Sequence, residues 1–180
     1  VTQTTYQYDP HGRQWKVIDA RNGTTTYVYK TNTDLLETVT TPVPGNGQSA
    51  QATTTVYDNL QRPKTLTQSD GTVVSREYFP TGLLKKTYGS RTYPVEYTYD
   101  AHGRMLTMKT WQTYPTTGSA TTTWTYNQYR GWMVKKAYQG GADNSDDYEF
   151  TKGGRLFKRY LDRGITITYT YNTAGDLHIV

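Results

Sequence analysis

An aromatic residue returns at nearly fixed intervals along the whole chain: Tyr8, Tyr29, Tyr57, Tyr78, Tyr99, Tyr126, Phe150 and Tyr171, spaced by 21, 28, 21, 21, 27, 24 and 21 residues. A fixed period restricts a chain to folds that repeat one supersecondary unit, each copy burying its neighbour. Two positions before these anchors stand Tyr6, Tyr27, Thr55, Arg76, Tyr97, Trp124, Tyr148 and Tyr169, so the two columns hold 14 of the 25 aromatic residues. Four positions after the anchor lies Gly12, Gly82, Gly103, Gly154 or Gly175 in five copies, whereas Thr33, Gln61 and Arg130 occupy that place in the others and read as degenerate turns.

The unit is a β-hairpin. In Tyr8-Asp9-Pro10-His11-Gly12-Arg13 the Asp carboxylate can accept turn amides, Pro fixes the next φ and Gly supplies a left-handed residue. That order of residues specifies a type I turn followed by a glycine bulge. Asp100-Ala101-His102-Gly103 repeats the Asp and the Gly, and Phe79-Pro80-Thr81-Gly82 repeats the Pro and the Gly. One and three positions before the anchors, 14 of 16 residues are polar, so this strand has one wet face and one carrying a tyrosine ladder. The strand after the turn has apolar residues both six and seven positions past the anchor, and its register is not fixed by pattern. A second turn closes each unit, as at Asp70-Gly71 and Asn22-Gly23, and all three insertions fall there, near 42–52, 114–121 and 140–146.

These features predict an all-β chain of about sixteen antiparallel strands in hairpin repeats of about 21 residues, forming one array of eight units over 1–180, open at both ends. Sixteen strands would span on the order of 75 Å, too wide to stay flat, so one continuous curled β-ribbon is expected. The alternative is a propeller, because two units supply the length of a four-stranded blade. The 180 residues are 34% hydrophobic, with a mean hydropathy of −0.83, too little for a thick two-layer core. The 18 Tyr and 4 Trp argue equally against disorder. No cysteine is present, which excludes disulfides and thiolate chemistry, and the net charge of +5 gives a mild preference for anionic partners. No stretch reads as a membrane span or a signal peptide. The chain opens within one repeat and stops within another, so a piece of a longer protein is expected, with unpaired terminal strands favouring self-association.

Eight in-phase copies of a Y-x-Y-D-x-x-G-R unit, best at Tyr6 to Arg13 and Tyr97 to Arg104, resemble the RHS or YD-repeat family over the entire chain. The resemblance implies a β-ribbon spiralling into a hollow shell, as in the cocoon components of Tc toxins, bacterial RHS toxins and teneurin ectodomains. It also implies a container for a cargo or toxin domain of a secreted or cell-surface protein, with adjacent repeats and that cargo as partners. The family's core motif with its aspartyl self-cleavage site, a plug and a variable toxin domain are not found in this sequence. The piece is therefore expected to be wall only.

Catalytic, cofactor and metal residues are not expected. His11 and His102 each follow an Asp by two residues but occupy a repeated turn position, and His178 stands alone. Asp143, Asp146, Asp147 and Glu149 form an acidic cluster without EF-hand spacing, read as a solvated insertion loop. Lys85-Lys86, Lys135-Lys136 and Arg155 to Arg163 mix charge with aromatics, which suits single-stranded nucleic acid but also keeps a wide sheet soluble, and the second reading is preferred. No nucleophile elbow, phosphate loop or HExxH pattern occurs. The residues that matter are architectural: the eight anchors, Asp9 and Asp100, and Gly12, Gly82, Gly103, Gly154 and Gly175. The competing functional readings are an adhesion module binding glycan or protein through its insertions, and a fragment of an enzyme whose active site lies elsewhere.

Overall fold

The computed structural model describes residues 3–140 and 144–179 and is all-β. Its strands are β1 (Thr4–Tyr8), β2 (Gln14–Asp19), β3 (Gly23–Tyr29), β4 (Leu36–Thr40), β5 (Ala52–Tyr57), β6 (Pro63–Thr67), β7 (Val73–Tyr78), β8 (Leu84–Tyr88) and β9 (Val95–Tyr99). There follow β10 (Met105–Thr113), β11 (Thr117–Tyr126), β12 (Met133–Ala137), β13 (Ser145–Phe150), β14 (Leu156–Tyr160), β15 (Thr166–Thr168), β16 (Thr170–Tyr171) and β17 (Leu177–Ile179). Fifteen of them hydrogen-bond in sequence order in one antiparallel sheet, and β16 and β17 pair separately. Four-stranded blades, the alternative arrangement, are not formed. Two compact units divide the chain, one of residues 1–79 with 87–93, the other of residues 80–86 with 94–180.

Every anchor ends a strand, as the turn chemistry requires. At the first turn Gly12 N–H donates to Asp9 O at 2.9 Å and Asp9 N–H to Arg13 O at 2.8 Å, and Gly12 has φ +79°. The same pair of bonds closes the turns at Asp58, Asp100 and Thr151. The three turns lacking glycine at the expected place also contain a left-handed residue: Asn32 at φ +60°, Gln61 at φ +63° and Gly131 at φ +71°. These turns are therefore intact, two of them with one extra residue, and only their sequence signature is weak.

The register of the strand after the turn is set by a bulge. Gln7 lies opposite Lys16 but Tyr8 opposite Gln14, leaving Trp15 unpaired. The same shift occurs beside Tyr29, Tyr57, Tyr99, Tyr126, Phe150 and Tyr171. A bulge puts two residues opposite one and re-aims the strand beyond it. Trp15, Leu106 and Phe157, seven past their anchors, are these extra residues, whereas Leu36 and Met133, also seven past, pair with theirs because their turns are longer.

The two faces follow from the pairing. In the first unit Tyr27 lies opposite Val39, and Val39 opposite Thr53. On the reverse face runs the row Val28, Thr38, Thr54, Thr67, Val73, in which the hydroxyls of Thr38 and Thr54 are 3.4 Å apart. In the second unit Tyr97 faces Met108 and Met108 faces Thr122, with Thr98, Thr107 and Thr123 behind. Among the described residues no hydrophobic side chain is buried. The apolar content expected to be too small for a second layer leaves the strands half-buried on both sides.

The insertions differ from one another. Residues 42–51 form a segment exposed over 43–49, with one bridge between Gly45 and Gln48, whereas 114–121 is absorbed into the long β10–β11 hairpin. The third is described only at Gly140 and from Asn144 onward; Asp143 lies outside the described residues.

Candidate functional site

Among the described residues no group of three or more His, Cys, Asp or Glu side chains converges to hold a metal ion. What recurs, at three of the turns, is a polar clasp joining one hairpin to the next. It is assembled from the turn Asp, the Arg four residues later and the following anchor tyrosine.

Asp9 shows the construction. Its Oδ1 accepts from the backbone N–H of His11 and of Arg13, both at 2.9 Å, which closes the turn upon itself. Oδ2 accepts from Arg13 Nε at 2.7 Å and lies 2.7 Å from Arg13 Nη2. So held, the guanidinium lies 4.6 Å over the Tyr29 ring and its Nη1 donates to the Thr33 carbonyl of the next turn. Tyr29 completes the loop, its hydroxyl donating at 2.8 Å to Gln14 O. Gln14 is the residue opposite Tyr8, so Tyr29 is tied to the bulge of the hairpin before it.

Asp58, Arg62 and Tyr78 repeat the arrangement: 2.9 Å from Asp58 Oδ1 to the amides of Leu60 and Arg62, 2.7 Å from Oδ2 to Arg62 Nε, and 4.6 Å from the guanidinium to the ring. Arg62 Nη1 reaches Phe79 O at 3.1 Å and the Tyr78 hydroxyl reaches Pro63 O at 2.9 Å. Asp100, Arg104 and Tyr126 do the same in the second unit, with 2.7 Å from Arg104 Nε to Asp100 Oδ2, 4.5 Å to the ring and 2.8 Å from the Tyr126 hydroxyl to Met105 O. The hydroxyl bond is more widespread than the full clasp. Tyr57, Tyr99 and Tyr171 also donate, to Leu36 O, Leu84 O and Leu156 O, at 2.7 to 2.9 Å.

Electrostatics follow the geometry. The side-chain bond from Arg62 leads the causes that hold the Asp58 carboxyl below its usual value. At Asp9 and Asp100 desolvation is the largest single influence and pushes upward, but the bonds from arginine and the turn amides together outweigh it and the carboxyl is lowered. Burial raises the phenols of Tyr99 and Tyr126. The lowered carboxyls of Asp9, Asp58 and Asp100 favour the ionised form, and the raised phenols of Tyr99 and Tyr126 the neutral one.

The structure thus brings Asp9 and Tyr29 together, as it does Asp100 and Tyr126. Gly12 and Gly103 lie in the turns themselves, and a Cβ at Gly12 would meet nothing within 4 Å, so φ alone calls for glycine there. Gly82 belongs to a turn with no Asp and no Arg, and Tyr8 has no preceding described hairpin and is 61% exposed. Phe150 lacks a hydroxyl and instead packs on Trp132, ring centroids 5.1 Å apart. Gly154 and Gly175 have φ of +86° and +94°. Sequence reasoning passed over the arginines, although Arg13 and Arg104 stand in the repeat, and missed Asp58 and Arg62 because Gln61 hid the motif.

The histidines fit the turn reading. His11 and His102 give backbone amides to Asp9 and Asp100, and their side chains are exposed, as is that of His178. The acidic cluster does not fit the loop reading. Asp146, Asp147 and Glu149 lie in β13 and each has a partner: Arg159 at 2.8 Å, Lys135 at 3.7 Å and the Tyr160 hydroxyl at 2.7 Å. Alternation carries the strand back beyond where composition suggested a loop.

No family model matches the chain, and no curated protein matches it. Solved structures do. A chain of TcdB2-TccC3-TEV aligns with a TM-score of 0.73 and 13% identity over 97% of this chain and 10% of its own length. TcdB2-TccC3 without its hypervariable C-terminal region gives 0.68 at 17% identity, covering 97% and 10%. The Tc holotoxin pore of Photorhabdus luminescens gives 0.54 at 15% identity, covering 97% and 12%. The fold is that of these Tc toxin chains, in agreement with the RHS-repeat resemblance read from the motif. This chain spans about a tenth of the length of each.

Proposed function

We propose that this chain is a non-catalytic array of eight repeats forming part of the wall of a hollow β-shell, which encloses a cargo or toxin domain of a larger secreted or surface protein. The observation that carries the reading is the fifteen-stranded antiparallel sheet, without a buried hydrophobic side chain among the described residues, in which clasps at Asp9, Asp58 and Asp100 fasten one hairpin to the next. A sheet that buries no hydrophobic side chain among its described residues is held by bonds within its own plane, as a wall must be. The anchors, Asp9, Asp100 and the five turn glycines act as wall fastenings in this reading. The fold shared with Tc toxin chains supports it. Imaging the full-length protein tests it. The expected map has these hairpins bounding a cavity that holds another part of the chain, and a solid domain packed on both faces would sink the idea.

The adhesion reading has one observation in its favour, the insertion at 42–51, where Val43 is 65% exposed. A glycan or receptor-domain screen with a hit lost on trimming residues 43–49 would support it. No helix among the described residues is long and apolar enough to cross a membrane.

A further inference from the structure

The tyrosine face of the second unit carries a group of charges outside the clasps. Trp124 lies opposite Lys136 and Lys136 opposite Asp146; in the adjoining row Tyr148 lies opposite Arg159 and Arg159 opposite Ile167. Asp146 is 5% exposed and, with Ser145, makes up the buried set of the described residues. Its Oδ2 accepts from Arg159 Nη2 at 2.8 Å and from the Tyr138 hydroxyl at 3.4 Å, and its Oδ1 from Asp162 N–H at 3.3 Å. The carboxylate is satisfied. Arg159 is not, because its Nε is buried without a partner, whereas every clasp fills both Nε and Nη2.

Asp146 is buried while the Arg159 side chain stays 37% exposed, so a buried carboxylate holds in place a guanidinium that still reaches solvent. Beside it opens a cavity of about 380 Å³ lined by Asp146, Arg159, Leu161, Asp162, Arg163 and Ile167. Asp146 fixes the Arg159 guanidinium at 2.8 Å, Arg163 adds a second cation to the lining, and Leu161 and Ile167 add aliphatic surface to it. The lining itself carries two cations, Arg159 and Arg163, against the carboxylates of Asp146 and Asp162, and Lys136 lies outside it, opposite Asp146 on the neighbouring strand. Oriented guanidinium groups beside an apolar surface recognise a carboxylate on a short apolar stem.

We propose that this cavity is a recognition site for an acidic side chain of a peptide segment, glutamate fitting best because its methylenes can lie on Leu161 and Ile167 while its carboxylate meets Arg159 and Arg163. The inference deepens the wall reading and takes from it the peptide nature of the ligand. The Asp162 carboxylate lies at the same cavity and disfavours a second negative charge, so a single acid between neutral neighbours is the preferred sequence.

The test is an NMR titration of the 180-residue chain with acetyl-Leu-Glu-Leu-amide and with its Gln counterpart. Expected are saturable shifts of amides between 156 and 168 with the Glu peptide and binding about tenfold weaker with the Gln peptide. Arg163→Gln, an exposed change, should weaken the Glu peptide by a similar factor and leave the Gln peptide unaffected. Arg159→Gln is made together with Asp146→Asn, which avoids stranding a buried carboxylate, and should abolish the preference while β13 and β14 keep their hydrogen-exchange protection. Equal response to the two peptides, no response to either, or an Arg163→Gln variant that binds as before overturns the proposal. The outcomes separate from those for the wall: peptide binding without an enclosed cavity in the full-length protein removes the wall alone, and an enclosed cavity without peptide preference removes this site alone.

Discussion

Two turns of the second unit perform the same task by different means. At Asp100 the carboxylate holds two turn amides at 2.9 Å and Arg104 Nε at 2.7 Å, and the guanidinium sits 4.5 Å over Tyr126. At Thr151 a hydroxyl accepts one amide, that of Arg155, at 3.1 Å, and Arg155 stands 5.5 Å from the Tyr171 ring. Yet the tyrosine hydroxyl finds the preceding bulge carbonyl in both, at 2.8 Å from Met105 O and 2.7 Å from Leu156 O. The tyrosine bond is therefore independent of the carboxylate, and the carboxylate serves to fix the arginine. In place of a fixed arginine, the Thr151 turn has Trp132 against its glycine, 2.8 Å from where a Cβ would stand.

That contrast can be broken most forcefully at the glycines. Gly154→Ala combines φ of +86° with overlap on the Trp132 ring and should cost roughly 2–3 kcal/mol, whereas Gly103→Ala, whose nearest neighbour would be Leu83 Cδ1 at 3.8 Å, should cost about 1 kcal/mol from φ alone. Urea denaturation of the two variants compares them directly, and equal losses would show that packing at Gly154 is immaterial. Next in size, Asp100→Ala should lower Tm by several degrees and Thr151→Ala by clearly less, since the first frees two amides and a guanidinium and the second one amide. Tyr126→Phe and Tyr171→Phe should each lose about 1 kcal/mol. A difference between them well beyond that would mean that the arginine strengthens the hydroxyl bond after all.

The acid limb sharpens the comparison further. The folded carboxyls of Asp9, Asp58 and Asp100 are lowered, so their contribution is complete above the unfolded value of about 3.9 and is lost as pH falls through the folded values. Asp100→Asn should therefore flatten the decline in stability between about pH 5 and about pH 2, with little change in slope near neutrality. Denaturation midpoints across that range check it. The smallest effect expected is a gain: Thr151→Asp supplies the missing carboxylate to Arg155 and should raise Tm by roughly 2 °C.

Much of this fold is legible in the sequence. The aromatic period located every hairpin, the Asp and Gly spacing gave the turn type, and alternation assigned the two faces of the strand before the turn. What stayed hidden was whatever depends on a residue in a neighbouring repeat. Gln61 concealed a complete clasp because left-handed backbone at a non-glycine residue leaves no mark in composition, and Arg62 acquires its meaning from Tyr78, in the following repeat. The acidic run around Asp146 read as loop because charge dominates local pattern, while the cross-strand partners Lys135 and Lys136 that make it a strand come from the hairpin before.

The sequence alone determined the period, the hairpin and the side on which the rings fall, because turn geometry and two-residue alternation act within a few bonds of backbone. The tertiary structure decided the bulge register, the arginine stacked on the next repeat and the burial of Asp146, because each depends on groups brought within a few ångströms only when hairpins lie side by side.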